Sequence, residues 1–447
     1  MNSFPDRSAL SALQCERLNT LLRSLCESNS FYAPRIQSAG LAGGLSDLSV
    51  FFERFPFTTK AEIAQDQKAH PPYGTNLTFP LETYTRFNQT SGTSGHPLRW
   101  LDTTESWNWM VDNWVEVLKA SGVTPKDRLY FAFSFGPFLG FWTAFEAGVK
   151  HGCLCLPGGG LSTAGRLRAI LENEVTVICC TPTYAIRLGE VAQEEGIDLS
   201  RSRVHTLILA GEPGASIPAV RQRLESLWNG ATLKDHHGMT EIGPVTYECP
   251  ARQGVLHILE GSFIPEVIDP TTCKPALPNE KGELVLTNLG RVGSPLLRYR
   301  TGDLVLPDPK APCACGRYDL ALVGGILGRV DDMVIVRGVN LHPSAVEAVL
   351  REFASIAEYR VELFLQRAMW EVQIQVEPHP QLTSPQTLQE EIETALHATF
   401  NLRIPVRMVT CGTLPRFELK AKRWVRIETE NSPHPSLPLH KGKERRL

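Results

Sequence analysis

The sequence predicts an α/β protein. It would have a large N-terminal domain of parallel-rich sheets with covering helices plus a small β subdomain, and then a small mobile α+β C-terminal domain. Three observations predict this. From Arg128 to Lys234, apolar runs of strand length alternate with helical patterns, as in a parallel sheet covered on both faces. From Leu256 to about Val323 the rhythm changes to short strands with turns between them, which suits an antiparallel subdomain. From Asp332 onward, strands and helices follow one another over the length of a compact module.

The elements follow in order. Ser8 to Ser30 reads as a helix or helix pair, with Leu10, Leu13, Leu18, Leu21, Leu22 and Leu25 apolar. In Phe57-Thr58-Thr59-Lys60, Thr58 or Thr59 caps a helix from Lys60 onward. Thr103 to Ala120 is a helix carrying Trp107, Trp109 and Trp114. Strands are expected at Arg128 to Phe133, Cys153 to Pro157, Val175 to Cys180, Val204 to Ala210 and Ala231 to Lys234. Helices are expected at Phe138 to Lys150, Thr183 to Gly196 and Ile217 to Trp228. Short strands follow at Glu283 to Thr287, Leu297 to Arg300 and Leu304 to Leu306. The last module reads as strand Met333 to Val336, helix Pro343 to Phe353, strands Glu358 to Phe364 and Glu371 to Val376, and helix Ser384 to Phe400. The boundaries are then 1–330, 331–427 and a solvated, disordered tail over 428–447 that is Pro-rich and locally basic.

The 447 residues are 42% hydrophobic and 21% charged, an ordinary globular composition. A net charge of −3 offers no basic field for nucleic acid. The first residues, MNSFPDRSALSALQ, lack the apolar core of a secretory signal, and no run of 18 apolar residues occurs. A cytoplasmic protein without membrane contact is expected. Eleven cysteines in that setting read as reduced thiols or metal ligands, with Cys153, Cys155, Cys179 and Cys180 as core packing.

Several segments can carry chemistry. Thr90-Ser91-Gly92-Thr93-Ser94-Gly95 crowds hydroxyls and glycines into a stretch that is poor helix and poor strand. Such a loop can converge backbone N–H groups on a polyphosphate, although GxxxxGK[ST] is absent. Ala210-Gly211-Glu212-Pro213-Gly214 and His236-His237-Gly238-Met239-Thr240-Glu241 fall at carboxyl ends of predicted strands, where ligands of parallel sheets collect. Arg298-Tyr299-Arg300-Thr301-Gly302-Asp303-Leu304 puts an acid just after a strand. Gly328-Arg329-Val330-Asp331-Asp332 joins the two halves, and Leu414 to Arg423 is a basic loop. Singly, each also reads as a flexible turn, a capping pair, a hairpin or a solvated loop.

Together, SGTSGHP, AGEPG, GMTEIGP, YRTGDL, GRVDDMVIVRGVNLHPSAVE and LPRFELKAKR resemble the adenylate-forming (acyl-CoA synthetase) superfamily, most closely its phenylacetate–CoA ligase branch. The resemblance covers roughly Phe57 to Val425. It implies ATP-dependent activation of a carboxylic acid as an acyl adenylate, then transfer to coenzyme A as a thioester. It implies that Ser91, Gly92, Thr93, Ser94 and Gly95 hold the β- and γ-phosphates. Thr240 would contact the α-phosphate and Glu241 would bind Mg²⁺. Gly211, Glu212 and Pro213 would lie beside adenine, with His237, Gly238 and Met239 completing the nucleotide site. Asp303 would accept hydrogen bonds from the ribose, and Arg329 would contact ribose or phosphate. Asp331 would be the hinge of the C-terminal domain. Gly338 would face the thioester-forming site, and Lys420 would neutralise charge during adenylation.

This sequence departs from the family pattern at three points. His96 stands where the phosphate loop usually has lysine, His237 where an aromatic is usual, and Leu419 where glycine usually precedes the lysine. Cys313-Ala314-Cys315 with Cys249 and His257 offers thiolates and an imidazole for tetrahedral Zn²⁺, and the resemblance implies a structural zinc in this region. Tyr130 to Trp142 is rich in Phe and Gly. By analogy it would line the acyl pocket, with Phe135 and Gly136 in its wall and Ala210 and His236 near its floor; an aromatic core segment is the other reading. An apolar aromatic wall suits an aryl or arylalkanoic acid. The alternative is an adenylating ligase whose acceptor is an amine or a carrier-protein thiol. The partners expected are this acid, ATP and CoA, and a homodimer is allowed.

Overall fold

A computed structural model describes residues 4–90, 97–337, 339–366, 369–382, 384–417 and 421–427. The chain divides into two compact units. The larger takes the chain up to Met333 together with His342–Ala354 and Arg416–Ala421. The smaller takes Val334–Leu341, Ser355–Pro415 and the chain from Lys422 on.

The larger unit opens with four helices. Helix α1 (Arg7–Ser28) starts where Asp6 accepts a hydrogen bond from the Ala9 N–H, and it buries Leu10, Leu18, Leu21, Leu22 and Leu25. It is one helix, not a pair. Short helices α2 (Ala33–Ser38) and α3 (Leu48–Arg54) pack Ile36 and Phe51 against the same cluster. Helix α4 (Lys60–Ala69) begins in a capping box in which Thr59 and Glu62 satisfy one another's exposed N–H groups. Thr58, the other candidate cap, is instead buried and donates to the Leu297 carbonyl at 2.8 Å.

Strands β1 (Tyr84–Gln89) and β2 (Arg99–Thr103) pair antiparallel on either side of residues 91–96. The ends of that segment are tied by Thr90 and Leu98, whose two hydrogen bonds span 2.9 and 3.0 Å. Helix α5 (Thr104–Ala120) follows, capped by Thr103.

The centre is a five-stranded parallel sheet of order β4-β3-β5-β6-β7. Its strands are β3 (Arg128–Phe131), β4 (Leu154–Pro157), β5 (Val177–Cys180), β6 (Thr206–Ala210) and β7 (Thr232–His236). The connecting helices are α6 (Leu139–His151), α7 (Thr163–Glu172), α8 (Pro182–Glu194) and α9 (Pro218–Leu227). The parallel core predicted from the apolar rhythm is therefore present. Helix α7 was not expected from the sequence, because Gly158-Gly159-Gly160 before it and Arg166 and Arg168 within it blur the apolar stripe. Alternation divides each strand between two cores. Leu129, Phe131, Val177, Cys179 and Ile208 face α5 and α6, while Tyr130, Ile178, Leu207 and Leu233 face α7, α8 and α9.

Beyond β7 the chain becomes antiparallel. The hairpin β8 (Gly238–Met239) with β9 (Gly243–Pro244) leads to β10 (Thr246–Glu248) and β11 (Val255–Ile258). Strands β12 (Phe263–Ile268), β13 (Gly282–Asn288) and β14 (Tyr299–Val305) form a second sheet. Strand β14 is continuous where the sequence pattern suggested two short strands. Its pairing with β13 is irregular between Glu283 and Val285, and Gly302 has φ +76°, so the apolar alternation breaks while the strand continues. Strands β15 (Pro307–Asp308) and β16 (Ala321–Val323) join β11, and β17 (Gly328–Arg329) closes on β14. Helix α10 (Pro343–Arg351) completes the larger unit.

The smaller unit holds the hairpin β18 (Val334–Val336) with β19 (Val339–Leu341). It also holds a mixed sheet of β20 (Ile356–Gln366), β21 (Met369–Pro378), β22 (Val406–Met408) and β23 (Trp424–Ile427), with helix α11 (Pro385–Phe400). A buried pair, Arg423 Nε to Glu358 Oε1 at 2.7 Å, ties β23 into that sheet. Among the described residues, no helix is long and apolar enough to cross a membrane.

Candidate active site

The predicted nucleotide-site residues that lie among the described residues gather at the carboxyl ends of β6 and β7 and on the neighbouring β14 and β17. Ser91, Gly92, Thr93, Ser94, Gly95 and His96 lie outside the described residues, as do Gly338, Leu419 and Lys420.

Asp303 is the hub. It is 4% exposed and sits in β14 directly opposite Arg329 of β17. Arg329 Nη1 lies 3.2 Å from Asp303 Oδ1, and its Nε donates to Asp331 Oδ1 at 2.8 Å. On the other side, His237 Nε2 lies 3.1 Å from Asp303 Oδ2. Burial disfavours the charge on Arg329, yet the carboxylates of Asp331 and Asp303 outweigh it and raise its pKa. Gly302 must be glycine here: its φ is +76°, and a Cβ would lie 2.7 Å from Arg329 Nη2.

Thr240 and Glu241 follow β8. Glu241 is buried, and its Oε1 lies 3.1 Å from Lys60 Nζ at the start of α4. The backbone beneath them is held by Arg291, whose Nη1 donates to the carbonyls of Thr240 at 2.7 Å and Glu241 at 2.9 Å. Arg291 in turn makes a two-pronged pair with Asp102 of β2, and both side chains are fully buried. Tyr299, buried in β14, feels both groups. Burial pushes its hydroxyl well above the ordinary range, the Glu241 carboxylate adds to this, and Arg329 and Asp303 are near enough to act as well.

Gly211, Glu212 and Pro213 follow β6, and Gly211 takes φ +96°. The Glu212 carboxylate is a clamp. Oε1 accepts from the Thr183 N–H at the start of α8, and Oε2 from the Ala421 N–H, both at 2.9 Å. Ala421 is the residue after Lys420.

Ala210 and His236 are register partners at the ends of β6 and β7. The ring of His236 lies 4.2 Å from Trp114. In the turn after β3, Phe133 stacks on Phe141 at 4.0 Å, and Phe135 packs against Trp142 at 4.7 Å and Phe145 at 5.5 Å. The Gly136 carbonyl accepts from Trp142 Nε1 at 2.8 Å. The Gln89 N–H donates to the Pro137 carbonyl, so the end of β1 lies against this aromatic turn.

Cys249, His257, Cys313 and Cys315 form a separate cluster whose ligand atoms all lie within 4.8 Å of one another. Cys249 Sγ is 3.7 Å from Cys313 Sγ, and Cys315 Sγ is 3.5 Å from His257 Nε2. Ligands at ordinary Zn–S and Zn–N lengths and tetrahedral angles stand about 3.5–3.8 Å apart. His257 Nδ1 donates to the Asp319 carbonyl at 3.0 Å, which frees Nε2 for a metal. The donor set fits zinc.

Lys60, Asp102 and Arg291 were not marked by the sequence. Asp102 and Arg291 stand 189 residues apart, and neither lies in a motif. Lys60 carried one local signal, its place just inside a capped helix start.

A family model for AMP-binding enzymes matches residues 56–290, and one for the AMP-binding enzyme C-terminal domain matches 338–426. The chain belongs to the AMP-binding enzyme family. Relatives of this AMP-binding enzyme include the phenylacetate-coenzyme A ligase of Thermus thermophilus. The two are 33% identical over 407 residues, covering 89% of this chain and 88% of the relative. The phenylacetate-coenzyme A ligase of Escherichia coli is 31% identical over 93% of this chain and 94% of its own. A crystal structure of 2-hydroxyisobutyryl-CoA ligase in the postadenylation state, in complex with R3-HIB-AMP, superimposes with a TM-score of 0.89. It is 26% identical and covers 95% of this AMP-binding enzyme and 91% of that chain.

Proposed function

We propose that this chain is an AMP-forming acid–CoA ligase acting on an aryl or arylalkanoic acid. In the first half-reaction the substrate carboxylate attacks the α-phosphate of ATP, giving an acyl adenylate and pyrophosphate. In the second, the CoA thiol attacks the acyl carbon and AMP leaves. Both steps concentrate negative charge, so orientation and fixed donors contribute most of the acceleration.

The observation that carries this reading is the linked set Asp303, His237, Arg329, Tyr299 and Glu241 at the carboxyl edge of a parallel sheet, beside an aromatic turn. Asp303 suits a ribose diol, because its buried carboxylate is already oriented by Arg329. His237 and Met239 border adenine, with Gly211, Glu212 and Pro213 on the facing segment. Thr240 offers a hydroxyl to the α-phosphate from a backbone fixed by Arg291. Ser91, Gly92, Thr93, Ser94 and Gly95 enclose the β- and γ-phosphates, and Lys420 neutralises charge that develops in adenylation. Asp331 is the hinge. Phe135, Gly136, Ala210 and His236 line the acyl pocket.

Glu241 would hold Mg²⁺, which neutralises polyphosphate charge; its buried carboxylate already faces a cation, Lys60. Cys249, His257, Cys313 and Cys315 would hold a structural Zn²⁺ that ties the β10–β11 turn to the Cys313–Cys315 loop.

The test is acid-dependent ATP–pyrophosphate exchange across a panel of acids, followed by mass spectrometry of the product formed with CoA. Exchange together with an acyl-CoA product supports the reading. Exchange without a thioester would replace CoA by another acceptor.

A further inference from the structure

Lys60 meets the candidate site from an element that no motif includes. It opens α4, and its Nζ lies 3.1 Å from Glu241 Oε1. The pair is unequal, because the Glu241 side chain is 8% exposed and that of Lys60 46%. The ammonium therefore caps a buried carboxylate from the solvent side, where a ligand can reach it. It has three hydrogens to donate, and among the described residues Glu241 is its one carboxylate partner. Glu62, the acid of the same helical turn, is engaged elsewhere: it accepts from the Thr59 N–H at 2.7 Å and from Arg35 at 3.0 Å.

The place of Lys60 does not hang on that ion pair alone. Just before it, the Thr58 N–H donates to the Arg298 carbonyl and the Arg300 N–H to the Thr58 carbonyl, each at 2.9 Å. Thr58 thereby bridges to Tyr299 of β14, the strand that carries Asp303. The capping box then sets the first turn. Further along α4, the Gln67 amide donates to the Arg99 carbonyl at 2.7 Å and accepts the Arg99 N–H at 3.0 Å. Arg99 opens β2, the strand that follows residues 91–96. Helix α4 is thus fastened to both segments between which a nucleotide would lie. The segment between β1 and β2 leaves a charge to be supplied. No lysine or arginine occurs from Thr90 to Pro97, and the Arg99 guanidinium is turned to the Pro72 carbonyl at 3.1 Å.

We infer that Lys60 Nζ binds the β- or γ-phosphate of ATP and supplies the fixed positive charge that the hydroxyl- and glycine-rich segment lacks. This rests on the acid–CoA ligase reading. An ammonium is a compact charge with rotatable donors, which suits a phosphate oxygen. Its four-carbon stem lets it turn from Glu241 to such an oxygen while α4 stays in place. AMP has no phosphate beyond the α position, so the contact distinguishes ATP from AMP.

The experiment is calorimetric titration of the full chain with ATP and, separately, with AMP, both with Mg²⁺ present. Lys60→Gln should weaken ATP binding about ten- to hundredfold, the scale of one hydrogen bond between charged groups, and change AMP binding by less than about twofold. Lys60→Met, which keeps the apolar stem and loses the charge, should do the same and serves if Lys60→Gln fails to fold. Lys60→Arg keeps a cation and should bind ATP more tightly than either neutral variant. The readout is a ratio of two ligands on one protein, so a general loss of stability does not move it. If Lys60 only neutralised Glu241, ATP and AMP would weaken alike. That result, or unchanged ATP affinity in the neutral variants, overturns this inference and leaves the ligase reading standing. Failure of the wild type to bind either nucleotide overturns both.

Discussion

Arg291 grips Asp102 with two prongs, Nε to Oδ1 at 2.6 Å and Nη2 to Oδ2 at 2.7 Å, and spans the carbonyls of Thr240 and Glu241 with its Nη1. One buried ion pair thereby fixes the backbone under two proposed catalytic side chains. Removing one partner leaves a buried charge uncompensated, which costs about 3–5 kcal/mol. Arg291→Met and Asp102→Leu should each lower stability on that scale in denaturant melts. The double variant Arg291→Met/Asp102→Leu should recover part of the loss. Loss from the double variant equal to the sum of the two single losses would show that the pair is not coupled.

Glu212 ties the Ala421 N–H, next to Lys420, to the start of α8. Lys420→Ala should slow adenylation by about 10²–10³-fold, the scale for removal of one charge-stabilising donor. Glu212→Ala should slow the same half-reaction by a smaller factor, because the lysine remains while the Ala421 N–H loses its acceptor. Thioester formation from pre-made acyl adenylate should be much less affected in both. Single-turnover measurements of the two half-reactions separate these outcomes, and equal loss in both half-reactions would contradict the assigned roles.

Asp235, one residue before His236, titrates at about 6, raised first by burial and also by Glu248, against the Ser216 hydrogen bond. The folded pKa lies above the unfolded one near 3.9. The unfolded chain therefore releases this proton first, and the group's contribution to stability is present below about pH 4 and lost as pH rises through about 6. The loss is on the order of 3 kcal/mol. Asp235→Asn should flatten the stability curve between pH 4 and 6 and close part of the gap to the acid side at pH 8. Denaturant melts at pH 4, 5, 6 and 8 would show this, and parallel curves for the two proteins would refute it.

The four-ligand cluster should hold one zinc per chain by elemental analysis. Cys313→Ser should drop the zinc content well below one per chain and lower the melting temperature. A strong chelator should do the same to the wild type without altering Cys313→Ser further. Full alkylation of Cys313 and Cys315 in the native protein, with melting unchanged, would rule the zinc out.

Much of the fold is legible because its causes are local. Five short apolar runs spaced by helical patterns already demand a covered parallel sheet, and Thr59 with Glu62 announces the start of α4. The missed helix α7 has its apolar positions interrupted by Arg166 and Arg168. Arg166 is itself 1% exposed and donates to the Gly158 carbonyl at 2.8 Å. A buried arginine reads as surface in any linear pattern, since only its partner reveals that it is inside. The joined strand β14 was split in the same way by Gly302, whose φ serves Arg329 and not the strand.

The sequence by itself determined the family, the order of the elements and most of the candidate nucleotide residues, because motif spacing and apolar period are properties of neighbouring residues. The tertiary structure alone decided which polar groups meet. It set Lys60 against Glu241, Arg291 against Asp102, His237 against Asp303 and Glu212 against the Ala421 N–H. It also decided that His236 is neutral, with its Nδ1 hydrogen on the Thr246 carbonyl. These relations join residues far apart along the chain, and each depends on distances of about 3 Å that the fold, not the local sequence, brings about.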